Sequence, residues 1–146
     1  MPEHRHHKGQ ALIETALVLF VLAAFVIGTF DFGQFLYFHQ ALAERARAAA
    51  RYGSINPADR TGIQNVAIFN DPAGAINGTT PVLPNLSAAM ISVCLPGDQQ
   101  CADPAAGPEA RVTVTISGYQ MTTFNLFGPH SFSNNPISAS QPSEAP

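Results

Sequence analysis

Charge and cysteine are scarce in this 146-residue chain, and only one long apolar run is present. Charged side chains make up 12% of the residues and sum to −3 at pH 7, so the basic face that nucleic-acid binding needs is missing. The only cysteines, Cys94 and Cys101, have no nearby His and no second Cys pair, which makes a poor zinc site where four ligands are ordinarily required. No phosphate-cradling Gly loop and no nucleophile elbow occurs. His39 and His130 lack a Ser, Cys or acidic neighbour at a recognisable catalytic spacing. His4, His6 and His7 cluster beside Arg5 and Lys8, which reads as a flexible basic leader rather than a metal site. The sequons at Asn77 and Asn85 are short enough to arise by chance. There is no internal repeat and no sustained heptad pattern. These absences together predict a protein without catalytic activity, cofactor, metal or small-molecule substrate.

What is present lies at the N-terminus. Between Thr15 and Phe30 no side chain is charged, and TALVLFVLAAFVIGTF is dominated by Leu, Val, Ala and Phe. At about 1.5 Å per residue, a helix from Gly9 to Phe30 covers roughly 33 Å, enough for a bilayer core that needs about 20 apolar residues. Every later apolar run is broken by Pro, Gly, Asn or Asp, so one span is expected. A removable signal sequence fits poorly. Its apolar core would be shorter, Glu14 opens the run here, and the best cleavage position, Val26 and Gly28 ahead of Thr29, lies inside continuous helical pattern. Past Asp31 the pattern becomes amphipathic, with Phe32, Phe35, Leu36, His39, Leu42, Ala46, Ala49 and Ala50 at spacings of three and four. Glu44, Arg45, Arg47 and Arg51 supply its polar surface, and Gly53 and Pro57 supply stop signals that end the helix near Tyr52. Asp31 reads as the polar boundary of the span, beside Phe32, Phe35, Tyr37 and Phe38, ring residues of the kind that gather at membrane interfaces.

The combination of a basic leader, Gly9, Gln10, Ala11, Glu14 at the fifth position after Gly9, the apolar span, then Asp31, Phe32 and Gly33, Ala41, and finally Arg51, Tyr52 and Gly53, resembles the TadE-like family. These are minor pilins or pseudopilins of tight-adherence (Flp, type IVb-like) pilus systems. The resemblance runs from about Lys8 to Gly53, and is looser over Arg111 to Ser140. Thr15 departs from the aromatic residue that many pilin-type leaders place after the Glu. The resemblance implies cleavage between Gly9 and Gln10 by a prepilin peptidase, and pairing of Glu14 with the amino terminus of a neighbouring subunit. It implies partners among the other pilins, pseudopilins and tight-adherence assembly machinery. Gly9 suits a cut site because a residue without a side chain lets a protease approach the backbone. Glu14 itself reads two ways, as an interfacial carboxylate of little cost or as a functional intramembrane acid.

The remainder predicts a small soluble body. Lys and Arg on both sides of the span leave its orientation almost undecided by charge. A disulfide closing the LPGDQQ loop between Cys94 and Cys101 is reasonable, and disulfides persist in oxidising compartments, which favours a C-terminal part outside the cytoplasm. The expected organisation is a leader over residues 1–9, a long helix over 10–53 that spans the bilayer over about 10–30, and a small extracytoplasmic domain over 54–146 with a frayed tail from Gln141. Within that domain a short helix runs from Asp59 to Asn70, a loop from Asp71 to Pro84, and strands over Ala88–Leu95, Ala110–Tyr119 and, more weakly, Pro136–Ser140. The fold class is α+β: a small antiparallel sheet resting on the outer half of one long helix. The function read from this is a structural, single-pass subunit of the bacterial inner membrane. The alternative is an unprocessed, membrane-tethered extracytoplasmic binding module. A secreted enzyme beginning near Thr29 ranks below both.

Overall fold

The computed structural model describes residues 6–75, 80–98, 101, 110–120 and 136–143. The chain divides into two compact units, Met1–Leu36 and Tyr37–Pro146. Helix α1, His6–Ile55, belongs to both as one continuous element of 50 residues. It begins four residues before the expected start, inside the leader, and ends three residues past Tyr52 because Gly53 does not stop it. The break comes at Asn56 and Pro57, where Asn56 N–H still donates to Tyr52 O at 3.0 Å and the proline cannot continue the ladder.

Within the first unit the helix is bare. Leu12, Ile13, Leu17, Phe20, Phe25 and Phe30 all lie on the exposed surface. Each side chain of this kind is stabilised by about 1.5–3 kcal/mol when it leaves water. The run therefore requires an apolar surrounding, and this helix is long and apolar enough to cross a membrane.

In the second unit the same helix becomes part of a core. Leu42, Ala46, Ala49 and Ala50 are fully buried, and Phe38 packs its ring against Tyr119 with centroids 6.1 Å apart. The buried face differs from the expected stripe. Phe32 is 63% exposed and Leu36 44%, whereas Phe38 and Gly53 join Leu42 and the alanines. Gly53 is buried for a steric reason: a Cβ there would lie 2.8 Å from Val112 Cγ1 and 2.9 Å from Ile63 Cδ1. The missing side chain lets helix α1, the next helix and the sheet meet at one point.

Helix α2, Arg60–Phe69, is held at both ends. Asp59 is its N-cap, accepting from Gly62 N–H through Oδ1 at 2.9 Å and from the Tyr52 hydroxyl through Oδ2 at 2.9 Å. A Cβ on Gly62 would fall 1.9 Å from Asp59 Oδ2, so the cap requires glycine there. Asn70 ends the helix in the left-handed region, φ 61°, and returns its N–H to Val66 O. Its apolar face, Ile63, Val66, Ala67 and Ile68, is buried.

A 3-10 turn at Ala88–Met90 leads into strand β1, Ile91–Cys94, so the strand is shorter than the sequence predicts. Strands β2, Arg111–Ile116, and β3, Ile137–Pro142, complete an antiparallel sheet in the order β1-β2-β3. Val112, Val114 and Ile116 alternate inward along β2, as their spacing predicts. Strand β3 extends two residues into the tail expected to fray, and Ser143 N–H still donates to Ala110 O at 2.8 Å. The ladder to β2 orders this stretch in spite of its polar composition. Tyr119, 1% exposed, donates its hydroxyl to Pro84 O at 2.9 Å and so ties the end of β2 to the loop before the 3-10 turn. Burial raises its pKa.

Candidate assembly site on the N-terminal helix

Gly9, Gln10, Ile13, Glu14, Leu17 and Val18 share one side of α1. Gln10 and Glu14 are four residues apart, one helical turn, which places a backbone nitrogen at position 10 and a carboxylate at position 14 on neighbouring ground. Among the described residues Glu14 has no ion-pair partner. The bond between Gly9 and Gln10 lies inside helical backbone, because the helix already covers His6 to Gly9. A protease that cuts there must first unwind the first turns. The open surface of Gly9, with nothing within 4 Å of where a Cβ would stand, leaves the approach clear.

The two threonine hydroxyls of the apolar segment are satisfied from within the helix. Thr15 Oγ1 donates to Ala11 O at 2.8 Å and Thr29 Oγ1 to Phe25 O at 2.9 Å, so neither hydroxyl needs water. Asp31 is half-buried near the end of the run. His4 and Arg5 lie outside the described residues, as do Asn77 and His130. No cluster of potential metal ligands occurs among the described residues.

Far along the chain, Cys94 and Cys101 form a disulfide with Cα atoms 5.8 Å apart. The closed loop is stitched further by Asp98, whose carboxylate accepts from Leu95 N–H at 3.2 Å and pairs with the Arg60 guanidinium. Arg60 also donates from Nη1 to Val93 O at 2.8 Å, so one side chain of α2 holds both the strand and the loop. The composition of the loop could suggest the disulfide, but nothing in the sequence pairs Arg60 with Asp98. The Leu95 amide and then Arg60 hold the Asp98 carboxyl below its ordinary 3.8. A carboxylate with a depressed pKa contributes stability that is present above the unfolded value and lost as pH falls through the folded one. The wild-type domain is therefore expected to lose stability below about pH 4, and Asp98→Asn to flatten that acid limb, read from thermal melts across the range.

The geometry describes a class first: a chain with one long, exposed apolar N-terminal helix and a small α+β body built on the helix's other end. Within that class, residues 9–51 match the family model described as TadE-like protein. The match takes in 43 of the chain's 146 residues, and the family it names is a pilus-associated one. The matched segment ends two residues before Gly53, so it covers the exposed apolar run and the buried Leu42, Ala46, Ala49 and Ala50. No curated protein and no solved structure is significantly similar to the chain.

Proposed function

We propose that the chain is a minor pilin or pseudopilin that takes part in assembling a tight-adherence pilus, anchored once in the bacterial inner membrane with its N-terminus inside and its α+β body outside. The observation that carries this reading is the coincidence of the TadE-like match with the exposed apolar helix that holds Gly9, Gln10 and Glu14 on one side. A prepilin peptidase cuts between Gly9 and Gln10 and leaves a new ammonium at Gln10. Glu14 then pairs with the amino terminus of a neighbouring subunit during entry into the pilus. The Cys94–Cys101 disulfide supports the outward placement of the body, since such bonds persist in oxidising compartments. The action is assembly, without catalysis, and lipid and other pilus subunits are the contacts.

Glu14→Gln keeps the shape of the side chain and removes its charge. Loss of pili with the variant retained in the membrane is the expected result in the native host. Pili at wild-type level would take Glu14 out of the mechanism, and a soluble variant would take away the anchor.

A further inference from the structure

The two outer edges of the sheet are treated differently. Ser117 N–H donates to Met90 O, which fixes the residues of β1 that face β2 and turns Ile91, Val93 and Leu95 outward. Those outward groups are nearly all satisfied. Ile91 N–H returns to Ala88 O, Ile91 O accepts from Gln64 Nε2, Val93 O accepts from Arg60, and Leu95 N–H donates to Asp98. Helix α2 and the disulfide loop have closed that edge.

Among the described residues strand β3 has no such cover. The bond from Ser143 N–H to Ala110 O sets the parity of the β2–β3 ladder, so Ile137, Ala139 and Gln141 face β2 while Ser138 and Ser140 turn their N–H and C=O groups outward. Both serines are exposed, and among the described residues no backbone group meets them on that side. The flanking outward positions are Pro136 and Pro142, which have no N–H to offer. Among the described residues this edge is therefore a window of two donors bounded by two prolines.

That window is symmetric about Ala139. We propose that it is a docking edge for a second copy of this chain, joined antiparallel through β3 so that the two sheets become continuous. Turned on itself, the segment sets Ser138 opposite Ser140 of the other copy, and Pro136 opposite Pro142, where neither chain has an N–H to leave unpaired. Two serine pairs with two bonds each give four backbone hydrogen bonds. Residues 137–142, ISASQP, carry no charge, so self-pairing brings no like charges together. The prolines fix the register by forbidding a longer ladder in either direction. Few bonds form, and tethering two copies to one membrane raises the effective concentration that such a contact needs. This contact stands independently of the pilus reading.

The test is disulfide trapping with mild oxidant, using the full chain in membranes. In the proposed pairing Ala139 faces its own copy with Cα atoms about 4.5 Å apart, within the range a disulfide accepts. Ser138 and Ser140 each lie diagonal to themselves, about 7–8 Å away, but opposite one another. Ala139→Cys alone is expected to give dimer at least about fivefold above Ser138→Cys or Ser140→Cys alone, while mixing those two proteins restores it. Adding Ser140→Pro to Ala139→Cys removes an outward N–H without touching the ladder to β2 and should abolish the dimer, with the melting temperature measured alongside. Where that proline variant does not fold, the cysteine pattern decides alone. Equal trapping at all three positions, no trapping at Ala139, survival of the dimer in a folded Ser140→Pro variant, or an adduct with a chain of different mass would each overturn the proposal.

Discussion

Gly53→Leu is expected to destabilise the α+β body by about 3 kcal/mol or more, at the upper end of what overpacking costs. The leucine side chain would have to occupy the space where Val112 Cγ1 and Ile63 Cδ1 already stand 2.8 and 2.9 Å from an added Cβ. Val112 is fully buried on the central strand and has a stiff, branched side chain, so it has little freedom to retreat. Ile63 could swing its terminal methyl aside, which is why Gly53→Ala should be milder: its helix propensity gain of about 1 kcal/mol offsets part of the clash. Gly33, on the same helix with nothing within 4 Å, is the control, and Gly33→Ala should not lower the melting temperature. In a domain of this size 3 kcal/mol corresponds to a drop on the order of 10 °C or more. Circular dichroism melts of the three variants in detergent check the order.

The effect of Glu14→Gln on pilus yield should be larger still. A carboxylate paired with an ammonium in hydrocarbon is a buried ion pair, and removing one partner from such a pair costs about 3–5 kcal/mol because the other is left uncompensated. At 1.4 kcal/mol per decade that is a hundredfold or more in the stability of the contact, so assembled pili should fall by about that factor. Insertion should not suffer. A charge costs about 2.5–3.5 kcal/mol at the bilayer centre and less toward the interface, so removing it near the start of the helix does not hinder passage into lipid. Assembly and anchoring therefore separate in one variant, by counting sheared pili against membrane-bound chain.

The contrast between these two positions explains how far the sequence could be read. The apolar helix is legible because a missing charge over Thr15 to Phe30 is a local property of the chain, and its side chains there lie exposed, with no packing to override it. Strand β2 is legible for the same kind of reason, since Val112, Val114 and Ile116 alternate with polar residues. Asp59 and Asn70 mark the ends of α2 by their cap chemistry alone.

Gly53 reads wrongly in the sequence because a glycine near the end of a helical pattern signals a stop, whereas a glycine at a three-way contact has the same letter. Only the approach of Val112 and Ile63, 59 and 10 residues further on, distinguishes the two. The stripe shifts for a related reason. Phe32 and Leu36 match the spacing, but the burial begins at Phe38 and Leu42, where the rest of the second unit supplies a surface to cover them. Arg60 and Asp98 carry no signal at all, since their pairing depends on the loop that the disulfide closes. The polar segment Gln141 and Pro142 looks like a tail until the register with Val112 and Arg111 is known.

The central claim, that this chain enters a pilin-type assembly route, is tested most directly by the intact mass and N-terminal sequence of the protein from membranes of its native host, with and without the prepilin peptidase. The account predicts a mature chain that begins at Gln10 when the peptidase is present and at Met1 when it is absent. A membrane-bound chain that begins at Met1 in both would contradict it and favour the unprocessed tethered module, and a soluble product beginning near Thr29 would contradict the anchor as well.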